Sequence, residues 1–165
     1  MIITQDYLKA NFIYADGNLY RIGYGSSRSG KGAKIGSLRK VFNHQRNVTK
    51  ITNKSFFVYR LIFLYHHGFL PKIVDHIDRN PLNDKIENLR AATVSQNAKN
   101  VKSRDNSSSQ YLGVSLDRKY WKASINIDGK NQHIGNFKTE KEAAIAYNYL
   151  AKLNHGEFAN LNVIV

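Results

Sequence analysis

Residues 74–97 have the sequence VDHIDRNPLNDKIENLRAATVSQN, and the fold of the first half of the chain follows from it. The apolar run at 73–77 and the LRAA segment at 89–92 predict two short strands, and the polar residues between them predict a loop. Thr93 and Gln96 have the spacing of a capping box, which predicts a helix after the second strand. The local plan is therefore strand, loop, strand and helix.

Three side chains of this stretch could support hydrolysis of a phosphodiester bond. That reaction needs a water nucleophile, a base that takes its proton, and positive charge beside the phosphate. His76 could be the base near pH 7, and a general base is worth roughly 10² to 10⁴ in rate. Asp75 and the amide oxygen of Asn97 could hold a magnesium ion, which commonly takes one or two protein oxygens. Because adjacent residues of a regular strand point to opposite faces, Asp75 and His76 can share a site only at a strand end or a bend.

The spacing of four residues resembles that of the HNH nuclease family: Asp75, His76, then Asn88 twelve residues after His76, then Asn97 nine residues later. The whole string at 74–97 resembles the phage-borne homing branch of that family. The resemblance implies two strands and a helix around one metal ion, Mg²⁺ or Mn²⁺, and an endonuclease that makes a nick or a double-strand break in double-stranded DNA. It also implies that Asn88 belongs to the catalytic set as a support, which stabilises the loop and helps to set the histidine.

The loop between the two predicted strands holds further polar residues. Asn80 and Asn83 favour turn hydrogen bonds. Arg90 either grips a DNA phosphate or pairs with Asp78 or Glu87, and the sequence favours neither. Asp and Asn are common loop formers, but their joint spacing with a histidine in a basic setting favours a catalytic site.

The segment before the first strand, FFVYRLIFLYHHG, predicts a buried helix from Ser55 to His67 that ends at Gly68. His66 and His67 lie in its last turn, where the helix dipole and the free carbonyls favour a capping role over a metal role. The HNH family often has a histidine before the arginine of this helix, and this chain has Tyr59 there. The supporting contact that the resemblance implies for this histidine is therefore in doubt in this chain.

Residues 11–57 alternate short apolar patches with glycine and asparagine, which predicts a small, irregular sheet. Its basic loop, SSRSGKGAK, contains Arg28, Lys31 and Lys34, and we expect it to contact a DNA backbone. A phosphate-binding loop is the alternative, but the segment has neither the GxxxxGK(S/T) order nor a following helix.

The charge of the chain favours a polyanionic partner. The net charge is +13 at pH 7, and residues 1–57 carry 10 basic and 2 acidic side chains. Nucleic acid is the leading partner. A membrane surface is the alternative, but the basic residues are interleaved with Gly, Asn and Ser instead of following an amphipathic helix.

The absence of cysteine excludes disulfides, thiolate zinc sites and cysteine nucleophiles. The N-terminus has no secretory leader pattern, and no apolar run is long enough to span a membrane. We therefore expect a cytoplasmic protein, in the host cell if a phage encodes it. We expect it to act as a monomer without an obligate protein partner.

The segment KSRDNSSSQ at 102–110 has no apolar residue to bury, which predicts a linker. It would separate a nuclease domain at 1–101, which includes the basic sheet region, from a second domain at 111–165. The mixture of helices and antiparallel strands predicts the α+β class for the whole chain.

The second domain has the pattern of a small sheet followed by a helix. Its strand patterns lie at 111–116, 120–128 and 131–137. Asp128 and Gly129 supply a hairpin turn between the last two strands. Thr139 and Glu142 form a capping box, which opens a helix that ends at His155-Gly156.

Four segments within residues 107–162, YLGVS, YWKASI, HIGNFKTEKEAAIAYN and HGEFANLN, resemble the ethylene-response-factor (APETALA-two) domain. The resemblance implies a three-stranded antiparallel sheet backed by one helix, with the sheet in the DNA major groove. This face has fewer arginines than the plant domains. Much of the affinity should therefore come from phosphate neutralisation and depend on salt.

Strand alternation predicts which face of this sheet is buried. Trp121, Ala123 and Ile125 share one face and should pack on the helix, so Trp121 is interpreted as core and not as a base-stacking platform. The opposite face and its edge carry polar residues that could read bases or bind phosphates. These candidates are Ser115, Arg118, Lys119, Lys122, Ser124, Asn126, Asn131, His133 and Asn136.

Three functions compete at this point. The first is a homing endonuclease that uses one divalent metal and a histidine base at a long, partly degenerate site. The second is a non-catalytic DNA-binding regulator built from the same two modules. The third is an RNA-binding accessory protein, which the charge alone favours and the major-groove-sized sheet disfavours. Asp75, His76 and Asn97 favour the enzyme, since a regulator needs no oxygen ligands beside an imidazole.

Overall fold

The structure is a computed structural model in which the chain divides into two units. The residues it describes are 2–23, 31–42, 44–100 and 107–164. The first unit is Met1–Thr93 and the second is Val94–Val165. The predicted α+β class is confirmed, since helices and small antiparallel sheets occur together. Within these ranges, no helix combines the length and the apolar character needed to cross a membrane.

The two units divide earlier in the chain than the predicted linker at 102–110. Residues 102–106 of that segment lie outside the described ranges. Ser109 is buried, and its Oγ donates to Glu140 Oε1 at 2.7 Å and accepts from the Tyr111 N–H at 3.0 Å. The end of the predicted linker is therefore packed into the second unit, because Ser109 forms hydrogen bonds with Glu140 and Tyr111 there.

The first unit packs small antiparallel sheets around a central helix. Its elements are α1 (Gln5–Asn11), β1 (Phe12–Ala15), β2 (Asn18–Arg21), β3 (Ser37–Val41), β4 (His44–Ile51), β5 (Lys54–Phe57), α2 (Val58–His67), β6 (Ile73–His76) and β7 (Leu89–Ala92). β1 pairs with β2, β4 lies between β3 and β5, and β6 pairs with β7. The irregular sheet predicted for 11–57 is thus two separate sheets, and the sequence did not predict α1.

Helix α2 begins at Val58, later than the predicted start at Ser55. The prediction was wrong because residues 54–57 form β5 and pair with β4. A short apolar run does not by itself distinguish a strand from a buried helix. The helix ends as predicted, with Gly68 in the left-handed conformation at φ 75°.

The C-terminal end of α2 is capped by a residue of α1. Gln5 Nε2 donates to the carbonyl of Tyr65 at 2.9 Å and to that of His66 at 3.3 Å. His66 and His67 were predicted to cap the last carbonyls of this helix, but Gln5 donates the hydrogen bonds to them. The ring of His66 packs instead on Tyr14, with 4.5 Å between centroids. Burial, and after it the neighbouring His67, lowers the pKa of His66.

The core of the first unit connects α2 to the hairpin β6–β7. Val58 and Ile62 of α2 are fully buried, and Val74 of β6 and Leu89 of β7 belong to the same apolar cluster. Full burial of one such side chain stabilises a fold by about 1.5–3 kcal/mol. The hairpin is therefore fixed on the helix by its own apolar residues.

The second unit combines a three-stranded sheet with helices. Its elements are α3 (Val94–Lys99), β8 (Val114–Asp117), β9 (Tyr120–Ile127), β10 (Lys130–Phe137) and α4 (Glu140–His155). β9 lies between β8 and β10, and both pairings are antiparallel. The predicted capping box of Thr139 and Glu142 is present at the start of α4. β8 begins later than predicted, because Gly113, at φ 75°, turns the chain so close to the Tyr147 ring that a Cβ would not fit.

The buried face of this sheet is the predicted one. Ala123 and Ile125 of β9 are buried in apolar clusters with Ala143 and Tyr147 of α4. Trp121 packs against the same core, so its interpretation as a core residue is confirmed. The polar residues of β9 are thus left on the opposite face.

Candidate active site

The hairpin β6–β7 places Asp75 and His76 at the end of a strand. They are the last two residues of β6, and their Cα partners in β7 are Arg90 and Leu89. Asp75 is 6% exposed and His76 is 7% exposed. A strand end is one of the positions at which adjacent side chains can share a site, so the condition set by strand alternation is met.

Asp75 forms an ion pair with the residue opposite it in the ladder. Arg90 Nε and Nη2 each lie 2.9 Å from Asp75 Oδ2. The sequence left open a pairing of Arg90 with Asp78 or Glu87, and the antiparallel register sets Arg90 opposite Asp75. A buried carboxylate needs such a partner to stay charged. The charged form is the one that binds a cation.

His76 is held by an acidic residue that the sequence analysis did not select. His76 Nε2 lies 3.1 Å from Asp84 Oδ1, and Asp84 is 4% exposed. An ionised carboxylate only accepts hydrogen bonds, so Nε2 donates, and in the neutral imidazole the lone pair is then on Nδ1. Asp84 follows His76 by eight residues in the loop, a spacing without a secondary-structure period. The one available signal was that a buried histidine usually has an acidic or carbonyl partner.

Aromatic side chains connect His76 to the sheet β3–β4–β5. The ring of Tyr59 in α2 lies 4.9 Å from that of His76, centroid to centroid. Tyr59 also stacks on Phe57 at 5.6 Å, and the Cζ of Arg46 lies 5.8 Å from the Tyr59 ring centre. Tyr59 therefore connects the ring of His76 to residues of β4 and β5.

The side chain of Asn88 closes the loop between β6 and β7. Its Oδ1 accepts from the Asp78 N–H at 2.9 Å, and its Nδ2 donates to Asp78 Oδ1 at 2.9 Å and to the Asn83 carbonyl at 2.8 Å. Asn83 Nδ2 donates to Asp78 Oδ2 at 2.7 Å. The Asn80 N–H donates to Asp78 Oδ1 at 2.8 Å. These side chains hold together the loop that carries Asp84.

The pKa of Asp78 is lowered from its ordinary value by the same network. Burial, the largest single influence, acts to raise this pKa, but the hydrogen bonds from Asn83, the Asn80 N–H and Asn88 together outweigh it. His76, when protonated, acts in the lowering direction as well. Asp78 therefore remains a carboxylate, and so an acceptor, at neutral pH.

Asn97, the third predicted member of the site, lies in α3 of the second unit and is exposed. Its approach to Asp75 stays a prediction. In the part of the chain that the structure describes, no three His, Cys, Asp or Glu side chains form a metal cluster. A carboxylate and an amide oxygen still make a donor set that suits a hard cation, because such ions keep water and phosphate oxygens as their remaining ligands.

The basic loop of the first unit is described in part. Arg28 lies outside the described residues, and Lys31 and Lys34 are exposed. The Ile35 N–H donates to the Leu19 carbonyl at 2.9 Å. The backbone that follows the two lysines is therefore bonded to β2.

The predicted polar residues of β8, β9 and β10 lie on one face of the second sheet. The Cα partners on this face are Ser115 and Lys122, Lys122 and Asn136, Ser124 and His133, and Asn126 and Asn131. A register shift between His133 and Gly135 allows Asn136 to share the face of His133. The face is therefore continuous across the three strands.

Two further candidates, Arg118 and Lys119, lie at a turn of this sheet, and Asn126 of the polar face borders the next turn. Arg118 and Lys119 are exposed between β8 and β9, and Lys119 Nζ lies 5.5 Å from the ring centre of Tyr120. Asn126 Oδ1 accepts from the Gly129 N–H at 3.0 Å. Asn126 therefore closes the turn between β9 and β10 in addition to facing solvent.

Comparison with protein families identifies the class to which this site belongs. Residues 56–99 match the family described as HNH endonuclease. The matched segment contains Tyr59, the complete β6–β7 hairpin and α3. The ion pair, the buried histidine and the closed loop therefore lie within an HNH endonuclease domain.

Two viral proteins are similar to this chain over a longer stretch. "Uncharacterized HNH endonuclease L560" of Acanthamoeba polyphaga mimivirus is 40% identical over 111 residues, which are 66% of this chain and 56% of that protein. "Protein 3.8" of Escherichia phage T7 is 34% identical over 97 residues, which are 56% of this chain and 79% of that protein. The chain thus spans little more than half of the mimivirus relative, and no solved structure matches it. The chain belongs to the HNH endonuclease family.

Proposed function

We propose that this chain is a homing-type endonuclease that hydrolyses phosphodiester bonds of double-stranded DNA. The observation that carries the proposal is the buried His76, which Asp84 holds through Nε2 and which follows Asp75 at a strand end. These residues lie in the segment that matches the HNH endonuclease family. The net charge of +13 supports a polyanionic substrate.

His76 is the general base of the proposed reaction. With Asp84 accepting from Nε2, Nδ1 takes a proton from the attacking water while the new phosphorus–oxygen bond forms and the bond to the 3′ oxygen breaks. A positioned base contributes roughly 10² to 10⁴ in rate. Asn88 acts as a positioning residue, since it closes the loop that carries Asp84.

The proposed cofactor is one divalent cation, Mg²⁺ or Mn²⁺, which Asp75 and the amide oxygen of Asn97 would hold. When bound, the cation supplies positive charge beside the phosphate and the departing oxygen. Arg90 pairs with the Asp75 carboxylate and orients it through Oδ2. In the proposed complex Arg90 also contacts a DNA phosphate, in addition to its ion pair with Asp75.

DNA binding is proposed for two further regions. In the first unit, Lys31 and Lys34 would neutralise phosphates, together with Arg28 of the same loop. In the second unit, the polar face of β8, β9 and β10 would lie in the major groove, as the resemblance to the ethylene-response-factor domain implies. Asn131 could read adenine, and Lys122 could reach guanine or a phosphate. The cross-strand pairing of these polar residues supports this part of the proposal.

Relaxation of supercoiled plasmids that carry a library of genomic fragments tests the proposal. The chain should nick or linearise DNA with Mg²⁺ or Mn²⁺ and leave it intact with EDTA. His76→Ala should not cleave. His67→Ala changes an exposed histidine outside the site and should cleave like the wild type. A wild-type chain that binds the plasmids but leaves them uncut in both metals would instead be a non-catalytic DNA-binding regulator.

A further inference from the structure

The sheet β3–β4–β5 lies in a stretch of the chain without acidic residues. No Asp or Glu occurs between Asp16 and Asp75, while eleven Lys and Arg do. The positive charge of this sheet therefore has no acidic counterpart within this stretch of the sequence. A surface of this kind attracts polyanions.

The register sets three of these cations on one face. Arg39 and Arg46 are Cα partners across the β3–β4 ladder, and Lys50 follows Arg46 by four residues in the same strand, so it points to the same side. In the described part of the chain, none of the three forms an ion pair. Like charges directly opposite each other destabilise a sheet. An anion between Arg39 and Arg46 would remove that cost.

This face leads to the candidate active site. Arg46 lies over the ring of Tyr59, and Tyr59 packs on His76, at 5.8 Å and 4.9 Å respectively. Four residues of a strand extend over about 13 Å. Arg46 and Lys50 are therefore far enough apart to contact different phosphates of one DNA strand.

We propose that Arg39, Arg46 and Lys50 form a surface, the basic sheet face, that binds the phosphate backbone of the DNA next to the bond that is cut. The inference rests on the proposed nuclease function and extends the substrate contacts of the same site. Arginine suits this role because its planar guanidinium makes two parallel hydrogen bonds to a phosphate. Tyr59 lies between Arg46 and His76, so one end of this face is next to the candidate active site.

The same strands provide a matched control. Lys40 is adjacent to Arg39, and Lys54 is the Cα partner of Ile51, the neighbour of Lys50. Both lysines are exposed, and both point to the side opposite the basic sheet face. Replacing them changes the net charge by the same amount without touching the proposed surface.

The salt dependence of DNA binding tests the inference. Duplex affinity of the full chain is measured in EDTA from low to high salt for the wild type, Arg39→Gln/Lys50→Gln and Lys40→Gln/Lys54→Gln. The first double variant should lower the slope of log affinity against log salt by about 1.8, since each lost phosphate contact removes about 0.9. The control should keep the wild-type slope. Equal slopes for all three proteins, or equal losses in both variants, would overturn the inference.

The absence of cysteine allows a second test, which maps the surface on the DNA. Ser55, the partner of Lys50, and Gln45, the partner of Lys40, are each replaced by a single cysteine and labelled with an iron chelate that cuts nearby DNA. The label at Ser55→Cys should cut within about one turn of duplex, or 10 base pairs, of the enzyme's own cleavage position. The label at Gln45→Cys should cut much less. Equal or reversed cutting would overturn the assignment of the face.

The two proposals fail in different ways. If the wild type cleaves DNA but the basic sheet face variant keeps the wild-type salt slope, the inference fails and the nuclease stands. If the slope falls in that variant alone while no metal supports cleavage, the nuclease fails and the face remains a DNA-binding surface.

Discussion

The hairpin β6–β7 of the first unit and the sheet of β8, β9 and β10 in the second unit use polar residues in opposite ways. In the hairpin, Asp75, His76 and Asn88 are buried, and each has a partner within hydrogen-bonding distance. In the sheet, Asn131 and His133 are exposed. Buried groups with fixed partners are preorganised for chemistry. We therefore expect changes in the hairpin to alter rates and changes in the sheet to alter affinity.

Replacing Asp75 should produce the largest effect. Asp75→Asn keeps the shape of the side chain but removes the charge that would bind the cation. Cleavage should fall by more than about 100-fold, since even an outer partner of a metal ligand is worth about 10–100-fold. Raising the Mn²⁺ concentration should restore part of the rate, and DNA affinity in EDTA should not change. Cleavage at the wild-type rate would remove Asp75 from the site.

Replacing Asp84 should produce the next largest effect on rate. Asp84→Ala removes the acceptor at His76 Nε2 and should reduce cleavage of bound DNA by about 10–100-fold. Asp84→Asn should recover part of that loss, because an amide carbonyl can still accept from Nε2. The nitrogen-15 NMR signals of the His76 ring should show the proton on Nε2 in the wild type and a mixture of tautomers in Asp84→Ala. Unchanged signals and an equal loss in both variants would mean that Asp84 has only a structural role.

A change in the polar face of the second sheet should affect binding and not the chemical step. Lys122→Ala should weaken DNA affinity by about 5- to 10-fold, which is about 1–1.4 kcal/mol, the lower part of the range for a direct base contact. Lys130→Ala is the matched control, because Lys130 is the partner of Ile127 and lies off that face. At saturating protein, both variants should cleave at the wild-type rate. A lower rate for Lys122→Ala would remove the distinction between the two regions.

The smallest expected effect is the acid sensitivity of the β6–β7 loop. The pKa of Asp78 is lowered in the fold, so its contribution to stability is present above the unfolded pKa of about 3.9 and is lost as the pH falls through the folded pKa. Asp78→Asn should therefore lower Tm at pH 7 and differ less from the wild type near pH 3. Thermal denaturation at the two pH values measures this. If the difference in Tm between Asp78→Asn and the wild type is the same at both pH values, the ionisation of Asp78 does not contribute to stability.

Local signals made much of the fold predictable. β7 lies at the predicted residues 89–92, and the hydrophobic alternation of β9 gave the correct buried face. The capping box of Thr139 and Glu142 marked the start of α4, because its two hydrogen bonds join residues three apart. Signals of this kind depend only on neighbours in the chain.

Contacts between distant residues were not predictable from those signals. The pairing of Arg90 with Asp75 follows from the strand register, which the sequence left open. The contact of His76 with Asp84 depends on the path of a loop. The start of α2 was missed because an apolar run with aromatic residues fits both a strand and a helix. The candidate site could therefore be predicted as a set of residue types, and its partners could not.

Single-turnover cleavage of a bound DNA duplex by His76→Ala tests the central claim most directly. With protein in excess and Mg²⁺ present, the cleavage rate should fall by roughly 10² to 10⁴ while the Kd measured in EDTA stays at the wild-type value. A His76→Ala protein that cleaves at the wild-type rate would contradict the account.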